Sequence, residues 1–176
     1  MYVRYKENVK MDLDRGLAVV KLISELGKVE GRKRLQKIVH LLKSKGYKEF
    51  NYGFVLHFYG PFSRELANQL DFLCTAGLIE ESRLDLAFNY QTPNEDLKHF
   101  LQNLLPKTKN MRSWIDFAKE LDKKETPFLE ALSTIVYLSK AGFEEGELKS
   151  KYDRIKPNLK SQFNEAKDYA QQHSLL

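Results

Sequence analysis

The chain has 176 residues, 42% hydrophobic and 12% aromatic, which suits one cored domain, or a small domain with a helical extension. Charged residues make up 30%, which argues against global disorder, and the net charge of +5 favours polyanions as partners. Cys74 is the only cysteine, so an internal disulfide and a cysteine-rich zinc site are excluded, and no apolar run approaches the roughly 18 residues of a membrane span.

Residues 1–11 show no period and read as an N-terminal arm without the apolar core of a secretory signal, so a cytoplasmic protein is expected. From residue 12 to 26 the stripe Leu13, Leu17, Val20, Ile23 and Leu26 predicts a helix, ended by Gly27. A second helix is expected over 30–45, with Leu35, Ile38, Val39 and Leu42 on its apolar face. Its opposite face presents Lys33, Lys37, His40 and Ser44, with Gln36 at the margin and Arg32 and Arg34 flanking the start. Aromatic and β-branched residues predict a strand over 52–59, which Gly60-Pro61 should end. Ser63 is placed to cap a third helix over 63–76 that buries Leu66, Leu70 and Leu73 and stops at Gly77. Two short strands, 78–82 and 86–91, follow in the position of a wing. The rest reads as helices over 93–105, 108–123, from Thr126 to before Gly142, 144–155 and 157–172.

The expected fold is therefore mainly α with a small antiparallel β-sheet. A winged helix-turn-helix-like domain over 12–91 precedes a helical region over 92–176 that packs on it. Charge is uneven: Lys28 to Glu49 holds eight Lys/Arg and two Glu. Arg32, Lys33, Arg34 and Lys37 are the expected phosphate contacts on double-stranded DNA. Arg64, Asn68 and Gln69 on the third helix are the candidates for reading bases, although Asp71 on the same face repels phosphate. The alternative is a protein-interaction module in which Tyr52, Phe54, Tyr59, Phe62 and Asp71 meet a partner. A homodimer is compatible with either reading.

Chemistry finds less support. The four histidines, His40, His57, His99 and His173, lack the spacing of a shared metal site, and His57 reads as a core residue. No G-x-S-x-G elbow or G-K-[ST] phosphate loop is present, and Cys74 reads as inert. No catalytic residue, cofactor or metal is implied.

Leu35-Gln36-Lys37, the aromatic strand and Tyr59-Gly60-Pro61-Phe62-Ser63 together resemble the YwgA-like proteins and, more distantly, the Panacea (SocA-like) antitoxin domain. Leu129 to Leu138 (LEALSTIVYL) and Ile155 to Leu159 (IKPNL) extend the resemblance to the YwgA-like C-terminal part. The resemblance implies a winged-helix-like fold and, through the antitoxin relatives, direct binding of a toxin or an adaptor role. It brings no catalytic residues.

Overall fold

The computed structural model describes the backbone of residues 2–84, 87–93, 96, 99 and 109–176. It describes their side chains except at 2–12, 83–84, 87–88 and 109–111. In chain order the elements are α1 (Tyr2–Leu26), β1 (Lys28–Glu30), α2 (Arg32–Ser44), a 3-10 turn at Lys48–Phe50, β2 (Val55–His57), β3 (Gly60–Phe62), α3 (Arg64–Thr75), β4 (Glu80–Leu84) and β5 (Ala87–Gln91). They continue with α4 (Lys109–Asp122), α5 (Thr126–Lys140), α6 (Glu145–Ile155), a 3-10 segment at Pro157–Gln162 and α7 (Phe163–Gln172). The protein is mainly helical with a small antiparallel sheet. The helix expected over 93–105 lies mostly outside the described residues.

Local expectations change at the N-terminus, at residues 28–30 and near the C-terminus, where the helix expected over 157–172 is a 3-10 segment at Pro157–Gln162 followed by α7. The segment 1–11, expected as an arm, is helical from Tyr2. No glycine or proline interrupts residues 2–15, and extending an existing helix adds a hydrogen bond for each residue fixed. Leu13 consequently sits on an exposed stretch of α1, while Val19, Val20, Leu22 and Ile23 enter the core. The second change is β1, which is too short to show alternation in sequence. It pairs antiparallel with β5 (Val29 opposite Tyr90), and β5 pairs with β4, giving the strand order β1-β5-β4.

Hydrophobic burial explains why α2 is the centre of the molecule. Leu35, Ile38, Val39, Leu41 and Leu42 are fully buried, and α4, α5, β1, β3 and β5 all pack around the helix. Each such side chain contributes about 1.5–3 kcal/mol relative to exposure. Leu129, Leu132, Ile135 and Val136 of α5 belong to the same continuous core, as does Trp114 of α4, whose ring meets Phe50 edge-on at 5.1 Å. The two halves of the chain thus share one interior.

That packing covers the face of α2 expected to meet solvent. Lys37 and His40 are both buried. His40 lies edge-on to Phe54 at 4.9 Å, and burial, reinforced by Lys37, Lys43 and Lys140, pushes its imidazole down to about 3, so the ring is neutral. The basic stripe is an interior feature at these two positions, because α5 and β3 pack over it.

Candidate functional site

The aromatic segment folds as a hairpin. Val55 pairs with Phe62, Leu56 with Pro61 and His57 with Gly60, leaving Phe58-Tyr59 as the two-residue turn. Gly60-Pro61, expected to end a strand over 52–59, instead begins the returning strand. A two-stranded ribbon has free edges, so a residue that cannot donate is tolerated there. Gly60 adopts φ +88°, and a Cβ at that position would lie 2.9 Å from Thr134 Oγ1 and 3.4 Å from Lys37 Cε. Conformation and space both demand glycine.

Three side chains from two separate parts of the chain grip this hairpin and the residue that follows it. From α2, the Gln36 amide closes a two-point contact on Ser63: its Oε1 accepts from Ser63 N at 2.8 Å and its Nε2 donates to Ser63 O at 3.0 Å. One residue on, Lys37 Nζ donates to Pro61 O at 2.8 Å. After α6, Lys156 Nζ donates to Phe58 O at 2.8 Å and pairs with Glu130 Oε1 of α5 at 2.5 Å. Both lysines are almost wholly enclosed, at 3% and 4% exposure. Ser63 Oγ accepts from Leu66 N at 3.2 Å, so the residue held by Gln36 also caps α3 as its sequence position predicts. Hairpin and α3 are therefore oriented together. Phe58 and Val55 are left facing solvent, Phe58 at 81% exposure.

The expected binding residues distribute as follows. Arg32 makes two 2.6 Å hydrogen bonds to Glu81 and lies 3.7 Å from Asp71, and the Glu81 hydrogen bonds hold its guanidinium well above the ordinary value. Arg34 donates to Asp122 Oδ1 at 2.9 Å, to the Asp122 carbonyl and to Thr126 Oγ1. Lys33 Nζ sits 3.2 Å from the centre of the Tyr59 ring. Two of the four expected phosphate contacts thus face carboxylates and a third, Lys37, is enclosed. On α3, Arg64, Asn68 and Asp71 are exposed as expected, beside Glu65 and an exposed Phe72, while Gln69 packs toward Gly16 of α1. Among the partner-binding candidates Tyr52 is buried beneath Arg15, and Phe54 is half-buried against His40. Tyr59 is exposed, and Phe62 lies half-buried at 5.7 Å from His57. His57 is itself exposed, which corrects its reading as a core histidine, since the hairpin rises off the core.

Between α2, the hairpin and α3 lies a cavity of about 390 Å³. Lys33, Lys37 and Arg64 reach it, with His57 at one side, and Tyr59, Phe62 and Leu70 supply apolar wall. Burial pushes the Lys37 ammonium down to about 8; Glu130 opposes the shift, and Lys156 and Lys33 add to it. In the unfolded chain the same amine titrates near 10.5, so the unfolded state binds more protons between about 8 and 10.5 and stability rises with pH across that window. The stability difference between Lys37→Met and the wild type, from urea unfolding at pH 8 and pH 10, is expected to change by on the order of 2 kcal/mol in favour of the wild type at the higher pH. A difference that stays constant with pH contradicts an enclosed, charge-stressed Lys37.

Glu130, Thr134 and Lys156 are not among the site residues expected from sequence. Their signal was present: polar residues within the otherwise apolar run LEALSTIV, and a lysine directly before Pro157. Cys74 is half-buried and its thiol is pushed up, chiefly by burial, in keeping with an inert role. Among the described residues no three His, Cys, Asp or Glu side chains are grouped to hold a metal, and no helix is long and apolar enough to cross a membrane.

No protein-family model matches the chain, and no solved structure matches it. Among curated proteins it is similar to "Uncharacterized protein YwgA" of Bacillus subtilis (strain 168), at 31% identity over 160 residues that span 88% of this chain and 93% of the relative.

Proposed function

The chain belongs to the YwgA-like family, and on that premise we propose that it is a non-catalytic, winged-helix-like module that binds a protein partner through the aromatic hairpin and α3. The winged-helix reading is supported by the order α1-β1-α2-α3-β4-β5 with sheet order β1-β5-β4, in which α3 takes the recognition position and β4–β5 the wing. The observation that carries the partner reading is the combination at Phe58: an almost fully exposed aromatic ring whose own carbonyl is gripped by an enclosed lysine. Exposed apolar residues on an ordered backbone lose little entropy on docking, which favours a protein surface as the target. Val55 and Tyr59 extend the apolar rim, and Phe72 adds a second exposed aromatic on α3.

DNA binding by a regulator is the second reading, favoured by the same topology and by the exposed Lys33 and Arg64. Against it stand the carboxylates opposite Arg32 and Arg34, and Glu65 and Asp71 flanking the exposed face of α3. One paired experiment separates the two. With nuclease present, the wild type should retain a stoichiometric protein partner that the surface variant Phe58→Asp loses. Anisotropy with random duplex should show no binding that weakens steeply between about 50 and 200 mM salt. Salt-dependent duplex binding that Lys33→Glu diminishes, with capture unaffected by Phe58→Asp, overturns the partner reading in favour of DNA.

A further inference from the structure

The cavity between α2, the hairpin and α3 has features that partner docking leaves unused. Its positive charge is unbalanced. Arg32 at its edge is matched by Glu81, but among the described residues no carboxylate comes within ion-pair distance of Lys33, Lys37 or Arg64. Glu130, the carboxylate that acts most on Lys37, is already taken up by Lys156. Lys37 uses one of its three donors on Pro61 O, and no second hydrogen-bond acceptor is found for it among the described residues. A cation in that setting is short of one anion.

The walls narrow the choice of anion. Tyr59, Phe62 and Leu70 make an apolar surface beside the cations, and about 390 Å³ is far more room than an inorganic ion fills. Three cations suit a dianion better than a carboxylate. Duplex phosphates are set on a wide rod, whereas Lys37 lines the cavity and is only 3% exposed, which sets it beyond the reach of a duplex.

We propose that this cavity is a binding site for a small phosphate monoester on an apolar or aromatic body, its phosphate held by Lys33, Lys37 and Arg64 and its body laid against Tyr59, Phe62 and Leu70. Occupancy would tie α2 to the hairpin and α3, the two elements of the partner surface. The site does not depend on the partner reading, and a failed partner capture leaves it standing.

Calorimetric titration of the full chain at low salt tests it with four probes: adenosine 5′-monophosphate, phenyl phosphate, adenosine and inorganic phosphate. At least one of the two monoesters should bind about tenfold more tightly than either adenosine or inorganic phosphate. Arg64→Ala, an exposed substitution that leaves the fold intact, should weaken it by about tenfold, and Lys33→Ala should act in the same direction. At pH 9 binding should be accompanied by proton uptake, read from buffers of different ionisation heat, as the anion restores charge to Lys37. The proposal is overturned if neither monoester binds at up to about 10 mM, or if the variant Arg64→Ala with Lys33→Ala binds as well as the wild type. Equal binding of inorganic phosphate and the monoesters would equally overturn it, since the apolar wall would then contribute nothing.

Discussion

Replacing Glu130 with alanine is expected to lower the melting temperature by roughly 6–12 °C. Glu130 is the anion paired with Lys156, and its side chain is 19% exposed against 4% for the lysine. Removing one partner of a buried pair leaves the other charge uncompensated, which costs about 3–5 kcal/mol. The partial exposure of Glu130 places the effect near the lower bound, and at this chain length each kcal/mol corresponds to about 2–4 °C. Lys37, already stressed by burial, loses the one carboxylate that favours its charge, so the effect deepens at neutral pH and eases as pH rises above about 8. The double variant Glu130→Leu with Lys156→Met should recover most of the loss, because an apolar pair of similar volume replaces an ionic one. Thermal unfolding followed by circular dichroism measures both. A shift under about 2 °C for Glu130→Ala would mean that Lys156 does not depend on this partner.

Gln36→Leu should destabilise by about 2–4 kcal/mol without changing the overall fold. The amide satisfies both the N–H and the carbonyl of Ser63, and all of these groups are buried. Leucine fills similar space and satisfies neither, and each stranded buried group costs about 1–3 kcal/mol. Ser63→Ala, which removes only the cap to Leu66 N, should cost about 1 kcal/mol and so provides the scale. Urea unfolding is the measurement, with a lower midpoint at unchanged slope. Gln36→Leu no worse than Ser63→Ala would show that the two-point contact is not what positions the turn.

Local patterns in the chain were legible where local physics decides. The bounds of α2, α3, α4, α5 and α6 follow the apolar periods and stops read from sequence, and Ser63 caps α3 as its place before Arg64-Glu65-Leu66 implies. The pair β4–β5 stands where two short strands were expected. Legibility ended where distant segments decide. Nothing local to α2 reveals that α5 and β3 cover its second side, so a helical wheel marks Lys37 and His40 as outward when they face inward. The three-residue β1 gains its identity only by pairing with β5, some 60 residues away. Pro61 read as a stop because it cannot donate, yet an edge position asks nothing of its missing N–H.

The candidate site follows the same division. Its residues were visible as motifs, Leu35-Gln36-Lys37, Tyr59-Gly60-Pro61-Phe62-Ser63, LEALST and IKPNL, but their roles were not. Two of the motifs place polar side chains against the backbone of the hairpin region, Gln36 on Ser63, Lys37 on Pro61 and Lys156 on Phe58, and Glu130 of a third balances Lys156. A basic residue in such a motif reads in isolation as a surface for phosphate. Here the lysines of two motifs are internal fasteners, and what they fasten is an aromatic turn.

Residue-resolved hydrogen exchange at the Ser63 amide tests that fastening most directly. The N–H of an N-cap residue ordinarily lies outside the helix's own hydrogen bonds and exchanges early. Held by Gln36 at 2.8 Å and buried, it should be protected nearly as well as the core of α2, and Gln36→Leu should abolish that protection while leaving α2 protected. Exchange of the wild-type Ser63 amide at the rate of an open loop would contradict a clamped hairpin.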